Sequence, residues 1–73
     1  MGKNVHITPR PNGWAVKSAG AERAAVIAPT QTAAAAIGRQ MAINRESELF
    51  IHGRNGQIRE RNTYGYDPEF SKG

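Results

Sequence analysis

Near the start of the chain, apolar and polar positions alternate. In "NVHITPRPNGWAVKS", Val5, Ile7, Trp14 and Val16 share one side of a two-stranded ribbon, and His6, Thr8, Arg10, Ala15 and Lys17 share the other. A period of two is the mark of a half-buried strand. Between the halves stands Asn12-Gly13, the pair that supplies the two positive-φ residues of a two-residue type I′ turn. With that turn, Pro9 faces Val16 and Ile7 faces Ser18. Pro9 and Pro11 have no N–H to donate, which places this first strand at a sheet edge.

The same dipeptide returns in "ELFIHGRNGQIRERN". With Asn55-Gly56 as the turn, Gly53 faces Ile58, Ile51 faces Glu60 and Leu49 faces Asn62. Leu49, Ile51 and Ile58 then point inward, while Phe50, His52, Arg54, Gln57, Arg59 and Arg61 point outward. A slip of one residue would bury three arginines, so the apolar pattern selects this register.

Between the hairpins the period changes. Ala19 to Arg23 reads as a turn and Ala24 to Ala28 as a short third strand, closed by Pro29. "TQTAAAAIGRQMAINRE" then carries the one helix, with Thr30 as N-cap and alanines of the highest intrinsic propensity. Ala34, Ile37, Gly38, Met41 and Ala42 follow the spacing of a buried stripe. Gly38 costs a helix about 1 kcal/mol relative to alanine. On that stripe the cost is offset if the helix sits close to the sheet. Ile43 lies off the stripe and either folds under the helix end or meets a second subunit. The tail from about residue 66 reads as irregular, with the rings of Tyr64, Tyr66 and Phe70 laid partly over the body. The expectation is a single α+β domain over 1–73. It comprises an antiparallel sheet of two Asn-Gly hairpins, with the short third strand after the first, packed on one central helix in the order ββ(β)αββ.

These segments resemble a known family. "NVHITPRPNGWAVK", the helix opening "TQTAAAA" and above all "LFIHGRNGQIRERNTYGYDP" are similar to small bacterial and phage-borne domains grouped as domain-of-unknown-function family 2188. The likeness runs from His6 to about Pro68. Pro11-Asn12 stands where related sequences more often carry an acidic or glycine-lengthened turn. The resemblance implies a compact α+β domain and brings no activity with it. A weaker likeness, of architecture alone, is to domains with three strands before a helix and one after. Some of those exchange the last strand with a partner, which makes a homodimer an option here.

Composition narrows the function classes. A chain of 73 residues has a small core and often needs a disulfide, a metal or self-association for stability. Cysteine is absent, which removes disulfides and thiolate sites and fits a reducing cytoplasm. No apolar run approaches a membrane span, and "MGKNVHITP" lacks the apolar segment of a secretory signal. Two histidines without a third ligand argue against zinc, and no metal or cofactor is expected. No nucleophile elbow or phosphate-cradling glycine loop is present, and the six acidic residues form no recognisable carboxylate pair. His6 or His52 with Asp67 or Glu60 could form an acid–base pair, but solvent-facing strand histidines are the simpler reading. The expectation is a protein that is not an enzyme.

The formal charge is +4, and seven of the ten basic residues are arginines. This balance suits an anionic partner, DNA or RNA first. Arg10, Lys17, Phe50, His52, Arg54, Arg59 and Arg61, with His6 beside them, form the candidate nucleic-acid surface. Arginine forks match phosphate and guanine edges, and an aromatic ring can stack on a base. The plainer alternative is that the open face of an antiparallel sheet must be polar. The rival expectation is a protein-interaction or homodimerising accessory module, of phage, mobile-element or host-adaptor type, with Ile43, Phe50 and Tyr64 as interface candidates.

Overall fold

The computed structural model describes residues 3–64. Six elements follow one another: β1 (Val5–Arg10), β2 (Gly13–Ser18), β3 (Val26–Ala28), α1 (Gln31–Arg45), β4 (Glu48–His52) and β5 (Ile58–Thr63). The strands form one five-stranded sheet in the order β3-β2-β1-β4-β5. The sheet is mixed, not antiparallel throughout, because β1 and β4 run parallel. A parallel pair needs a long crossover, which β2, β3 and α1 provide.

β1 is therefore the central strand and not an edge. Its two neighbours divide its length. β2 pairs with all of Val5–Arg10, whereas β4 pairs with Val5, His6 and Ile7 only. Pro9 lies beyond the reach of β4, so its missing N–H breaks no bond on that side.

Both hairpin registers differ from the sequence expectation near their turns. In the first, Arg10 pairs with Gly13, Pro9 with Trp14 and Ile7 with Val16. The turn residues are Pro11-Asn12, one position before the expected pair, which moves every cross-strand partner by two. Proline holds φ near −65°, which suits the second position of an ordinary type I turn and forbids type I′ there. A shift of two leaves every side chain on its expected face.

In the second hairpin, the Gly53 N–H donates to the Gln57 carbonyl at 2.7 Å, and the Gly56 N–H donates to the Gly53 carbonyl at 2.9 Å. The loop is thus three residues, Arg54-Asn55-Gly56, with Gly56 at φ 89°. That is the turn-plus-bulge solution, in which the last loop residue must take a left-handed conformation. His52 pairs with Ile58 and Ile51 with Glu60, so Arg59 is the extra residue of a bulge. Farther along, the expected pairs Ile51 with Glu60 and Leu49 with Asn62 are present.

Val5, Ile7, Trp14, Val16, Ala28, Leu49 and Ile51 form the sheet side of the core, and Ala34 and Ala42 the helix side. Thr30 caps α1, accepting a hydrogen bond from the Ala33 N–H at 3.1 Å, and Glu46 closes it in a left-handed conformation. The buried stripe of α1 is built from Ala34, Gly38 and Ala42. A Cβ at Gly38 would stand 2.7 Å from Ile7 Cδ1 and 3.0 Å from Leu49 Cδ1. The helix approaches closely enough there that a side chain would have to displace the tips of Ile7 and Leu49, and larger residues are pushed to its flanks. Ile37 is accordingly 37% exposed and Ile43 39%, while Met41 packs at the margin of the core.

α1 packs on β1, β2, β3 and β4 but does not reach β5. The bulge pairs Ile58 with His52, on the face away from the helix, so Ile58 is 56% exposed and not part of the core, against the expectation. The third strand begins at Val26, later than the expected Ala24. Tyr66, Asp67 and Phe70 lie outside the described residues.

Candidate functional site

Strand alternation puts Val5, Ile7, Leu49 and Ile51 under the helix, so their neighbours His6 and Phe50 project from the opposite face, which is open among the described residues. The register aligns Lys17 with His6, His6 with Phe50, and Phe50 with Arg61. A single row therefore crosses four strands, from ammonium through imidazole and phenyl to guanidinium. The His6 and Phe50 rings are stacked, with centroids 5.0 Å apart and planes 18° from parallel.

His52 joins the row from one turn of pleat further along β4. Its ring centroid is 5.3 Å from that of His6, and His6 Nδ1 lies 3.0 Å from His52 Nε2. His52 Nδ1 faces the Gly56 carbonyl oxygen at 3.3 Å. A carbonyl only accepts, so His52 carries its proton on Nδ1 and offers the Nε2 lone pair to the His6 Nδ1–H. Burial is the main cause that lowers the pKa of His6 below its ordinary value, followed by the charges of His52 and Lys17. At neutral pH this imidazole is held neutral.

The arginines do not gather as expected. Arg61 is exposed beside Phe50 on the open face. The bulge turns Arg59 away, toward the start of the helix, where it lines a hollow of about 480 Å³ with Trp14, Thr30, Gln31 and Arg54. The Arg54 guanidinium lies over the Trp14 ring, 5.9 Å from its centroid. Arg10 also stands at this end, lining a second hollow of about 420 Å³ with Trp14, Pro29 and Arg54. The seven candidates thus divide in two. Lys17, Phe50, His52 and Arg61 join His6 on the open face, while Arg10, Arg54 and Arg59 surround Trp14 at the hairpin tips.

The interface candidates separate as well. Phe50 belongs to the open face. Ile43 is exposed on the helix behind it, and Tyr64 packs against the core on the helix side. There Tyr64 lines a groove of about 410 Å³ between α1 and β5, with Ala35, Arg39, Leu49 and Asn62. Its backbone N–H donates to the Ser47 carbonyl at 3.0 Å. Sequence alternation puts both histidines on outward positions, yet it does not reveal their meeting. Only the parallel β1–β4 pair brings residues 46 positions apart together.

Among the described residues, a mixed five-stranded sheet with one face covered by a single helix and the other open defines a small α+β domain that presents a sheet surface. The chain belongs to the bacterial family described as "Uncharacterized protein conserved in bacteria (DUF2188)", whose model matches residues 5–64. It is 30% identical over 61 residues to "Uncharacterized protein YdaT" of Bacillus subtilis (strain 168), a match covering 84% of this chain and 41% of that protein. The chain therefore spans less than half the length of this relative. No solved structure matches. Among the described residues, no helix is long and apolar enough to cross a membrane.

Proposed function

We propose that this domain is a non-enzymatic binding module that takes up single-stranded nucleic acid on its open sheet face. The observation that carries this reading is the cross-strand row of Lys17, His6, Phe50 and Arg61. Bases stack on aromatic faces, at about 1–3 kcal/mol per base, and Phe50 with His6 offers such a surface between two cations. Arg61 and Lys17, at the two ends of the row, suit the phosphates on either side of a stacked base. A flat sheet face fits splayed bases better than it fits a duplex groove. The arrangement of Arg10, Arg54 and Arg59 at the tips extends the positive field beyond the row. It offers no second stacking platform, because Trp14 is only 7% exposed and already lies beneath Arg54.

The test is a fluorescence-anisotropy titration of labelled single-stranded DNA and RNA at increasing salt. Affinity falls with salt, with a log–log slope of about 0.7 per neutralised phosphate. Phe50→Ala weakens binding by about 5- to 150-fold, the equivalent of one stacked base. Unchanged affinity in both Phe50→Ala and Arg61→Ala would reject the surface.

A second reading is favoured by a separate observation. The sheet ends at two open strands, β3 and β5, and each exposes an isoleucine, Ile27 at 41% and Ile58 at 56%. Unpaired strand edges are templates for another chain, and such pairing would make the domain a homodimer or a protein adaptor. Sedimentation mass against concentration separates the two. A mass that halves on dilution, and that Ile58→Lys holds at the monomer value, supports the edge reading.

A further inference from the structure

We propose that His6 and His52 together form a two-imidazole site for a borderline divalent transition cation of the zinc, nickel and copper class. The site goes beyond the nucleic-acid reading and does not rest on it. Two nitrogens bound to one such ion at 2.0–2.1 Å stand about 2.9 Å apart at a right angle and about 3.3 Å apart in a tetrahedron. His6 Nδ1 and His52 Nε2 are already 3.0 Å apart. The two nitrogens thus already stand at the separation a shared cation requires, and turning both lone pairs from each other toward one common point is the change that binding demands. The proton leaving His6 Nδ1 moves through solvent to His6 Nε2, so the imidazole stays neutral while Nδ1 gains a lone pair.

The surroundings hold both rings as ligand rings are usually held. A metal-binding histidine commonly donates its other N–H to a backbone carbonyl, which fixes the tautomer and the ring orientation. His52 Nδ1 stands in that relation to the Gly56 oxygen. His6 is fixed from its flank by the stacked Phe50 ring, and its lowered pKa keeps it unprotonated at neutral pH. Lys17 opposes a cation, being the cross-strand neighbour of His6. Its ammonium sits on a flexible stem that can turn into solvent, and a hollow of about 290 Å³ beside Lys17, Thr8 and the two histidines leaves room for this. Among the described residues no group of three or more histidine, cysteine or acidic side chains is assembled. Water would fill the positions that the two imidazoles leave.

The chain contains two histidines and no cysteine, so the test has few competing donors. The full chain is titrated calorimetrically with zinc chloride and with nickel chloride at neutral pH. One cation binds per chain, and affinity falls as pH drops through the imidazole range, where protons compete. His6→Gln and His52→Gln each weaken binding by about tenfold or more, because two donors on one ion act as a chelate. Two equal independent sites, single variants that bind as the parent does, or no saturable binding would each overturn the proposal. A second measurement needs no variant. Substoichiometric nickel broadens the ring proton signals of both histidines, and those of Phe50, together. Broadening of one histidine alone, or of neither, contradicts the shared site.

Discussion

The two hairpins carry the same Asn-Gly pair and use it differently. In the first, proline precedes the pair, the turn retreats to Pro11-Asn12, and the strands run unbroken for six paired positions. In the second, glycine and arginine precede it, the loop takes three residues, and a bulge follows at Arg59. The first hairpin lies at the middle of the sheet under the helix, and both its strands carry buried residues. The second ends in β5, which the helix does not reach and where no residue is fully buried. A local turn signal thus marks where a chain reverses. Which residues close the turn, and which faces follow, depend on the flanking conformation and on what lies above the strand.

The bulge has a direct consequence for the charged surface. Arg59 and Arg61 are two positions apart and would share a face in a regular strand. With the extra residue at 59, Arg61 stays beside Phe50 while Arg59 turns to the start of α1. One expected arginine face becomes two regions, a cation–aromatic row on the open sheet and an arginine cluster at the tips.

The sharpest break of the comparison is a pair of isoleucines. Ile7 is fully buried in β1 and Ile58 is more than half exposed in β5. Ile7→Ala should destabilise the fold by about 2–5 kcal/mol, enough to unfold a domain of this size. Ile58→Ala should change stability by no more than about 0.5 kcal/mol. Urea midpoints of the two variants measure the contrast directly.

The two arginine regions separate next. Arg61→Ala should lower oligonucleotide affinity together with the contribution of stacking at Phe50. Arg54→Ala and Arg59→Ala should act mainly through the field, reducing the salt slope by about 0.7 for each phosphate no longer neutralised. Equal effects of all three on affinity and slope would merge the regions again. Thr30→Ala, which removes the cap of α1, should cost about 1 kcal/mol in a thermal or urea melt and leave oligonucleotide binding intact.

The smallest effect concerns pH. The pKa of His6 is lowered in the fold, so the unfolded chain binds its proton more readily. Stability therefore rises with pH between the lowered value and the ordinary 6.5, and is lost as pH falls through that window. His6→Gln should flatten this part of the stability profile. An unchanged profile in that variant would assign the dependence elsewhere.

Much of this architecture was legible from period and punctuation. Thr30 and the alanines mark the start and body of one helix, and the parity of Val5, Ile7, Trp14, Val16, Leu49 and Ile51 marks the core. In the first hairpin the faces hold although the register moves, because a shift of two keeps parity; in the second the one-residue bulge exchanges the expected faces of Ile58 and Arg59. The central position of β1 was hidden, since its prolines read as an edge signal and the short parallel ladder with β4 has no local signature. The face of Ile58 was hidden too, because plain alternation carries no mark of the bulge that pairs it with His52. The histidine pair follows from that same unannounced ladder, so its members were visible in the sequence while their meeting was not.

The most direct test of the open-face account is a backbone-amide and aromatic shift map of the labelled protein, titrated with a short single-stranded oligonucleotide. The largest changes should fall on His6, Lys17, Phe50 and Arg61. The groove residues Ala35 and Arg39 should barely move. Changes confined to that groove, or to the tips around Arg10 and Arg54, would contradict it.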